Sequence, residues 1–324
     1  MGHNDGSVKV VLTAVVVNAC VTIAKAIGWL FSFSPSMLAE TIHSFADTAN
    51  QLLILVGIRI SNKGPTREFP TGYGQARYLW NLISASGIFF IGFGVTTYHG
   101  VAALISPHHD SQISYNLGIG ILLFAAIVEG YAFLVALKEV NVHRGSMPFI
   151  KFIRISKDPT SIGVLLEDAI AVFGVILALI GMALSSFFHS HIPDAVASIM
   201  IGILLGLLAF IMVFMNGRLL INRSVSMTDE KEIKDFIQSQ AIVKNITALR
   251  TEILSPDQIE LSIEIDFNSS ALKQHIFEAG ETEKELVNKV VQQTIKYTGL
   301  EINNLEKQIQ NRFPEIKFID LEIN

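Results

Sequence analysis

His43 and Asp47 lie four residues apart in the stretch Met37 to Ile60, MLAETIHSFADTANQLLILVGIRI. On a helix that spacing places an imidazole and a carboxylate one above the other on a single face. The stretch is long and apolar enough to cross a bilayer, where two ionisable groups are costly unless a charged species visits them. A divalent cation meets that description. A second pair, Glu167 and Asp168, sits inside another apolar run, Val164-Leu165-Leu166-Glu167-Asp168-Ala169. Adjacent carboxylates there are neutralised only by protons or by a cation. If the two runs pack together, His43, Asp47, Asp168 and Glu167 supply up to four ligands. Mixed imidazole and carboxylate donors suit Zn2+ in tetrahedral geometry, and Mn2+, Fe2+ or Co2+ also accept them. The competing reading makes these groups a hydrogen-bonded glue between helices.

Other polar groups carry weaker arguments. Lys25 and Glu129, each inside an apolar run, are expected to pair with each other, to meet water in a cavity, or to belong to a proton path. Asp194 follows Pro193 and reads as a helix cap or dipole partner before it reads as a ligand. His108, His109, His189 and His191 fall in short links and read as solvated. His275 is the sole histidine after residue 225, and the one cysteine, Cys20, excludes both an intrachain disulfide and a multi-cysteine metal cluster.

The elements that must position these residues follow from composition. Half of the 324 residues are hydrophobic and 16% are charged, well below the charged share of a soluble domain. Charges are sparse before about residue 225 and dense after it. Six apolar segments approach membrane length, near 9–32, 37–60, 78–105, 114–137, 162–187 and 194–221. The links around 33–36, 106–113 and 188–193 hold no Lys or Arg. The opposite side carries Lys9, Lys63, Arg67, Arg77, Lys138, Arg144, Lys151, Arg154, Lys157, Arg218 and Arg223. That alternation predicts both termini on the cytoplasmic side. The absence of an Arg-rich leader suggests a prokaryotic plasma membrane.

The expected architecture is therefore an all-α six-helix transmembrane bundle over residues 1–224, followed by a small cytoplasmic α+β domain over 225–324. Lys157-Asp158-Pro159-Thr160 signals the start of the fifth span. In the second domain, Thr228 to Lys231 opens a short helix with acidic residues in its first turn. Ile246–Ile253 and Ile259–Asp266 read as a hairpin about Ser255-Pro256-Asp257, a helical stretch covers 281–312, and Ile316–Ile323 alternates again. The net charge of -5 gives no reason to expect nucleic acid as a partner.

Taken together, these residues resemble the cation diffusion facilitator family of metal exporters. The likeness rests on Ser34-Pro35-Ser36-Met37-Leu38-Ala39-Glu40, His43-Ser44-Phe45-Ala46-Asp47, Asn50-Gln51, Pro70-Thr71-Gly72-Tyr73-Gly74 and Leu165-Leu166-Glu167-Asp168. The Leu-Leu-Glu-Asp form resembles the branch with the mitochondrial zinc transporter and its bacterial relatives. The resemblance implies a transporter and not an enzyme, without a prosthetic group. It implies a homodimer that exchanges a divalent metal, foremost Zn2+, for protons by alternating access, with a ferredoxin-like C-terminal domain. It also implies a transport site with two ligands from the second span and two from the fifth at i, i+4. His43, Asp47 and Asp168 match; the fourth position falls on Val164, which cannot bind metal, and Glu167 is the substitute. The family's loop histidine falls on Phe69. A membrane-anchored interaction protein and a downhill channel are the alternatives.

Overall fold

The computed structural model describes residues 4–105, 115–268 and 283–323. The chain divides into two compact units. The first comprises helices α1 (Asn4–Ser32), α2 (Pro35–Ser61), α3 (Ala76–Ile105), α4 (Tyr115–Arg144), the short α5 (Phe149–Ile155), α6 (Pro159–Phe188) and α7 (Ile192–Leu220). Five helices are long and apolar enough to cross a membrane: α1 over Val15–Ser32, α3, α4 over Asn116–Arg144, α6 and α7. The sixth expected span, α2, is 27 residues long, but its polar residues keep it out of that set. It is the helix that carries Glu40, His43 and Asp47.

Local sequence sets the helix starts. Ser34 accepts a hydrogen bond from Met37 N at 3.1 Å and Pro35 occupies the first turn of α2. Asp158 does the same for α6, accepting from Thr160 N at 3.1 Å and from the Ser161 hydroxyl at 2.7 Å, with Pro159 next. Both are N-terminal caps that satisfy otherwise orphaned backbone donors, and the second starts where the sequence signals it. The tight link from α1 to α2 turns at Phe33, which adopts a positive φ of 49°. Within α3, Ile88–Val95 is wound as a π-helix. Local widening of this kind is a recurrent feature of functional helices.

α2 packs against α1, α3, α6 and α7. The core joins Met37 and Ala46 of α2 to Val175 and Met182 of α6 and to Ile201 and Leu205 of α7. Large apolar side chains on the outer faces stay uncovered, among them Ile23, Phe31, Phe124, Ile127, Phe187 and Phe210. Apolar belts of this extent fit lipid and not water.

The second unit comprises Ile221–Asn324 together with the segment Thr66–Gly74. The sequence places the boundary at 224; the observed division falls after Leu220, and Thr66–Gly74, between α2 and α3, is part of the second unit. It contains α8 (Met227–Gln238), β1 (Val243–Ser255), β2 (Gln258–Phe267), α9 (Glu283–Arg312) and β3 (Ile316–Ile323). Ser226 caps α8 by accepting from Asp229 N at 3.2 Å, with Asp229 and Glu230 in the first turn. β1 and β2 pair antiparallel, β2 and β3 pair parallel, and the order is β1-β2-β3. β1 runs longer than the sequence predicts. Along β2, Ile259, Leu261, Ile263 and Ile265 are buried and alternate with Glu260, Ser262 and Glu264. That period of two gives the sheet one apolar face, which Ile233 and Ile237 of α8 and Leu305 and Ile309 of α9 supplement in the unit's core. Gly74 lies so close to the hairpin that a Cβ there would stand 2.8 Å from the Leu254 carbonyl oxygen.

Candidate transport site

Four polar side chains stand along one face of α2 at spacings of three, four and three: Glu40, His43, Asp47 and Asn50. Glu40, His43 and Asn50 are buried, and the Asp47 side chain is 15% exposed. Each reaches a different environment. His43 Nε2 lies 3.5 Å from Asp47 Oδ2, too far for a good hydrogen bond. Both ring nitrogens of His43 and Oδ1 of Asp47 have no hydrogen-bond partner among the described residues. Buried polar atoms are rarely left so in a region whose role is only packing.

On α6, Glu167 is buried and accepts a hydrogen bond from the Asn50 side-chain amide. Asn50 in turn accepts from the Ser84 hydroxyl of α3. The carboxylate of Glu167 is thus oriented by a neutral chain that crosses α2 and α3. Asp168, half-buried, is within charge–charge range of Asp47 and of Glu129. Asp47 is within the same range of Glu167. Val164, one turn before Asp168, offers no donor atom.

His43 and Asp47 are therefore adjacent, and Glu167 and Asp168 stand on the helix packed against them. Among the described residues, no three His, Cys, Asp or Glu side chains are close enough together to hold a metal ion. In this conformation the four residues stand as two pairs, one on α2 and one on α6.

The Lys25 ammonium of α1 pairs with Glu40 at 2.7 Å and with Glu129 of α4 at 2.6 Å. The Lys25–Glu129 pairing was among the sequence expectations; Glu40 as the third member was not. Its signal was present, since Glu40 precedes His43 by one helical turn. Glu40 Oε1 nests against Gly174 of α6, where any added methyl would overlap it. Asn50, Ser84, Asn81 and Asn216 were also missed as site elements. Asn81 donates to Thr160 Oγ1 at 3.0 Å and to Asn216 Oδ1 at 3.1 Å, a second neutral polar group that joins α3, α6 and α7. Each is a polar residue in an apolar run, the same signal that marks the carboxylates.

Asp194 lies in the first turn of α7 and accepts from the Ser36 hydroxyl and backbone N–H, while its own N–H donates to Ser185 Oγ at 3.0 Å. It fastens three helix ends together, in keeping with a structural role. His189 ends α6 in the left-handed conformation and is exposed. Phe69 stacks on Tyr73 with ring centroids 4.5 Å apart. His108, His109 and His275 lie outside the described residues.

The family model of the cation efflux transmembrane domain matches residues 11–221, from within α1 to just past the end of α7. The chain belongs to the cation diffusion facilitator family. The chain is accordingly an integral membrane protein. The chain is 31% identical to the mitochondrial proton-coupled zinc antiporter of Homo sapiens over 98% of its own length and 59% of the relative's. It thus spans about three-fifths of that relative. It is 29% identical to metal tolerance protein C4 of Arabidopsis thaliana, over 99% of this chain and 74% of the relative. The manganese efflux system protein MneP of Bacillus subtilis is 27% identical over 75% of this chain and 78% of its own.

These facilitator relatives correct one expectation. The two matched across nearly the whole chain are eukaryotic, and one is named mitochondrial, so the prokaryotic plasma-membrane placement does not stand. The absence of an Arg-rich start was the only ground for that placement, and composition near one end of a sequence does not identify a membrane.

Proposed function

We propose that this facilitator exports Zn2+ in exchange for protons, with His43, Asp47, Asp168 and Glu167 as the ligands of the transported ion. The observation that carries the reading is the face of α2, where a buried imidazole and a largely buried carboxylate hold three buried polar atoms without a partner among the described residues. They lie opposite a second carboxylate pair on α6. Protons compete for the same atoms, because imidazole and carboxylate bind metal only when deprotonated. On this reading the two pairs close around the ion, α2 serves as the sixth membrane crossing, and opening to the other side lets protons displace the metal. The zinc and proton assignments draw on the name of the human relative; the manganese named for the bacterial relative makes Mn2+ the chief competitor. We also read the α8-β1-β2-α9-β3 unit as the ferredoxin-like domain through which the family dimerises.

The test is transport by the purified chain in vesicles with an imposed pH gradient, supplied separately with Zn2+, Mn2+, Fe2+ and Co2+. Zn2+ movement should follow the proton gradient, and Asp47→Ala or Asp168→Ala should abolish it while the protein still folds and inserts. Normal transport by both variants would remove the site. Unchanged metal affinity in Glu167→Gln would strike Glu167 from the ligand set.

A further inference from the structure

Lys25 is a fully buried cation for which the exchange just described has no use. Its Nζ is held by Glu40 Oε2 at 2.7 Å and Glu129 Oε1 at 2.6 Å. Each carboxylate keeps a second buried oxygen, Glu40 Oε1 and Glu129 Oε2, without a hydrogen-bond partner among the described residues. One ammonium thus faces two carboxylates, and hard oxygen donors converging on a single cation are also what a divalent ion takes. The triad adjoins the transport site. Glu40 is one turn from His43 on α2, His43 is within charge–charge range of Lys25, and Asp47 and Asp168 are within that range of Glu129.

We propose that Lys25 is the resident counter-cation of the transport cavity: its ammonium fills the Glu40–Glu129 carboxylate pair, denies that pair to the metal, and so keeps the metal's hold at His43 and Asp47 weak enough for release. The inference rests on the transport reading above. Lys25 acts through charge and is a positioning residue, not a ligand. With it gone, two unpaired carboxylates would draw a divalent cation inward in a medium that screens charge poorly.

The experiment measures KM and kcat for Zn2+ transport by the full chain in vesicles. Lys25→Met should lower KM by about tenfold or more and lower kcat, since the ion binds tightly and leaves slowly. Lys25→Arg, which keeps the charge, should retain the wild-type KM. The double variant Lys25→Met/Glu40→Gln restores the net charge of the triad and should bring KM back toward wild type, which mere loss of packing would not do. If Lys25→Met does not fold, Glu129→Gln carries the test, because it keeps the Lys25–Glu40 pair and adds one net positive charge; its KM should rise. A wild-type KM in Lys25→Met or Glu129→Gln, or equal losses in Lys25→Met and Lys25→Arg, overturns the proposal. A wild-type chain that moves no ion defeats the transport reading instead, and Zn2+ binding by equilibrium dialysis then reads the same shifts. Identical dissociation constants in wild type and Lys25→Met, or no binding at all, overturn the proposal there.

Discussion

Asn50 donates its amide N–H to Glu167 and accepts the Ser84 hydroxyl, so one neutral side chain fixes a carboxylate on another helix. Removing Asn50 leaves that buried carboxylate with no donor among the described residues, whereas removing the Ser84 hydroxyl leaves Asn50 still bonded to Glu167. Asn50→Ala should therefore destabilise the folded protein by about 1–3 kcal/mol, and Ser84→Ala by less, as read from thermal unfolding of the purified chain. The opposite order would show that the hydroxyl and not the carboxylate depends on Asn50. The sequence revealed Asn50 only as part of a family motif. Its position three residues after Asp47 put it on the same helical face, but nothing in a single strand of sequence says which carboxylate it would meet. Glu167 lies more than a hundred residues away, and that pairing is decided by how α2 packs on α6.

At the scale of helices, one start was legible and interiors were not. Asp158-Pro159 is a cap signal with a local cause, and α6 begins where it stands; Ser34-Pro35 caps α2 in the same way, ahead of the apolar run near 37–60 by which the second span was placed. Asp158→Ala should cost about 1 kcal/mol, because Thr160 N and the Ser161 hydroxyl lose their acceptor. Hydrogen exchange should quicken in the first turn of α6, upstream of Glu167, and leave α7 unaffected; uniform quickening would mean that the cap holds more than its own helix. The π-helical stretch of α3 gave no such warning. Ile88–Val95 reads IFFIGFGV, apolar throughout, so no alternation distinguishes a wide turn from a normal one. The hairpin of β1 and β2 was legible for the converse reason, since β2 alternates with a strict period of two about a turn at Pro256 and Asp257. The Lys25–Glu40–Glu129 triad joins three helices, and periodicity fixes a face within each helix but never the faces that meet.

For the molecule as a whole, hydropathy gave the expectation of a membrane part and a polar part, while the two compact units divide the chain at three places. Thr66–Gly74 lies between two membrane-unit helices in sequence but belongs to the unit that holds the sheet. Apolar content could not reveal this, because the segment is polar, short and punctuated by Pro70, Gly72 and Gly74. Gly74→Ala should displace it from the hairpin, since the added methyl meets the Leu254 carbonyl oxygen, a backbone atom with little freedom to yield. Limited proteolysis should then cut within 66–74 faster than in wild type; equal rates would show that the loop adapts in place. The wider consequence concerns inheritance. The polypeptide passes from one unit to the other three times, after Pro65, after Gly74 and after Leu220, so the second unit is not a detachable tail. A chimera that borrows everything beyond residue 220 from a relative would pair a foreign sheet with a native loop. Recombination between members of the family has to carry two separate stretches of gene together to keep that unit whole.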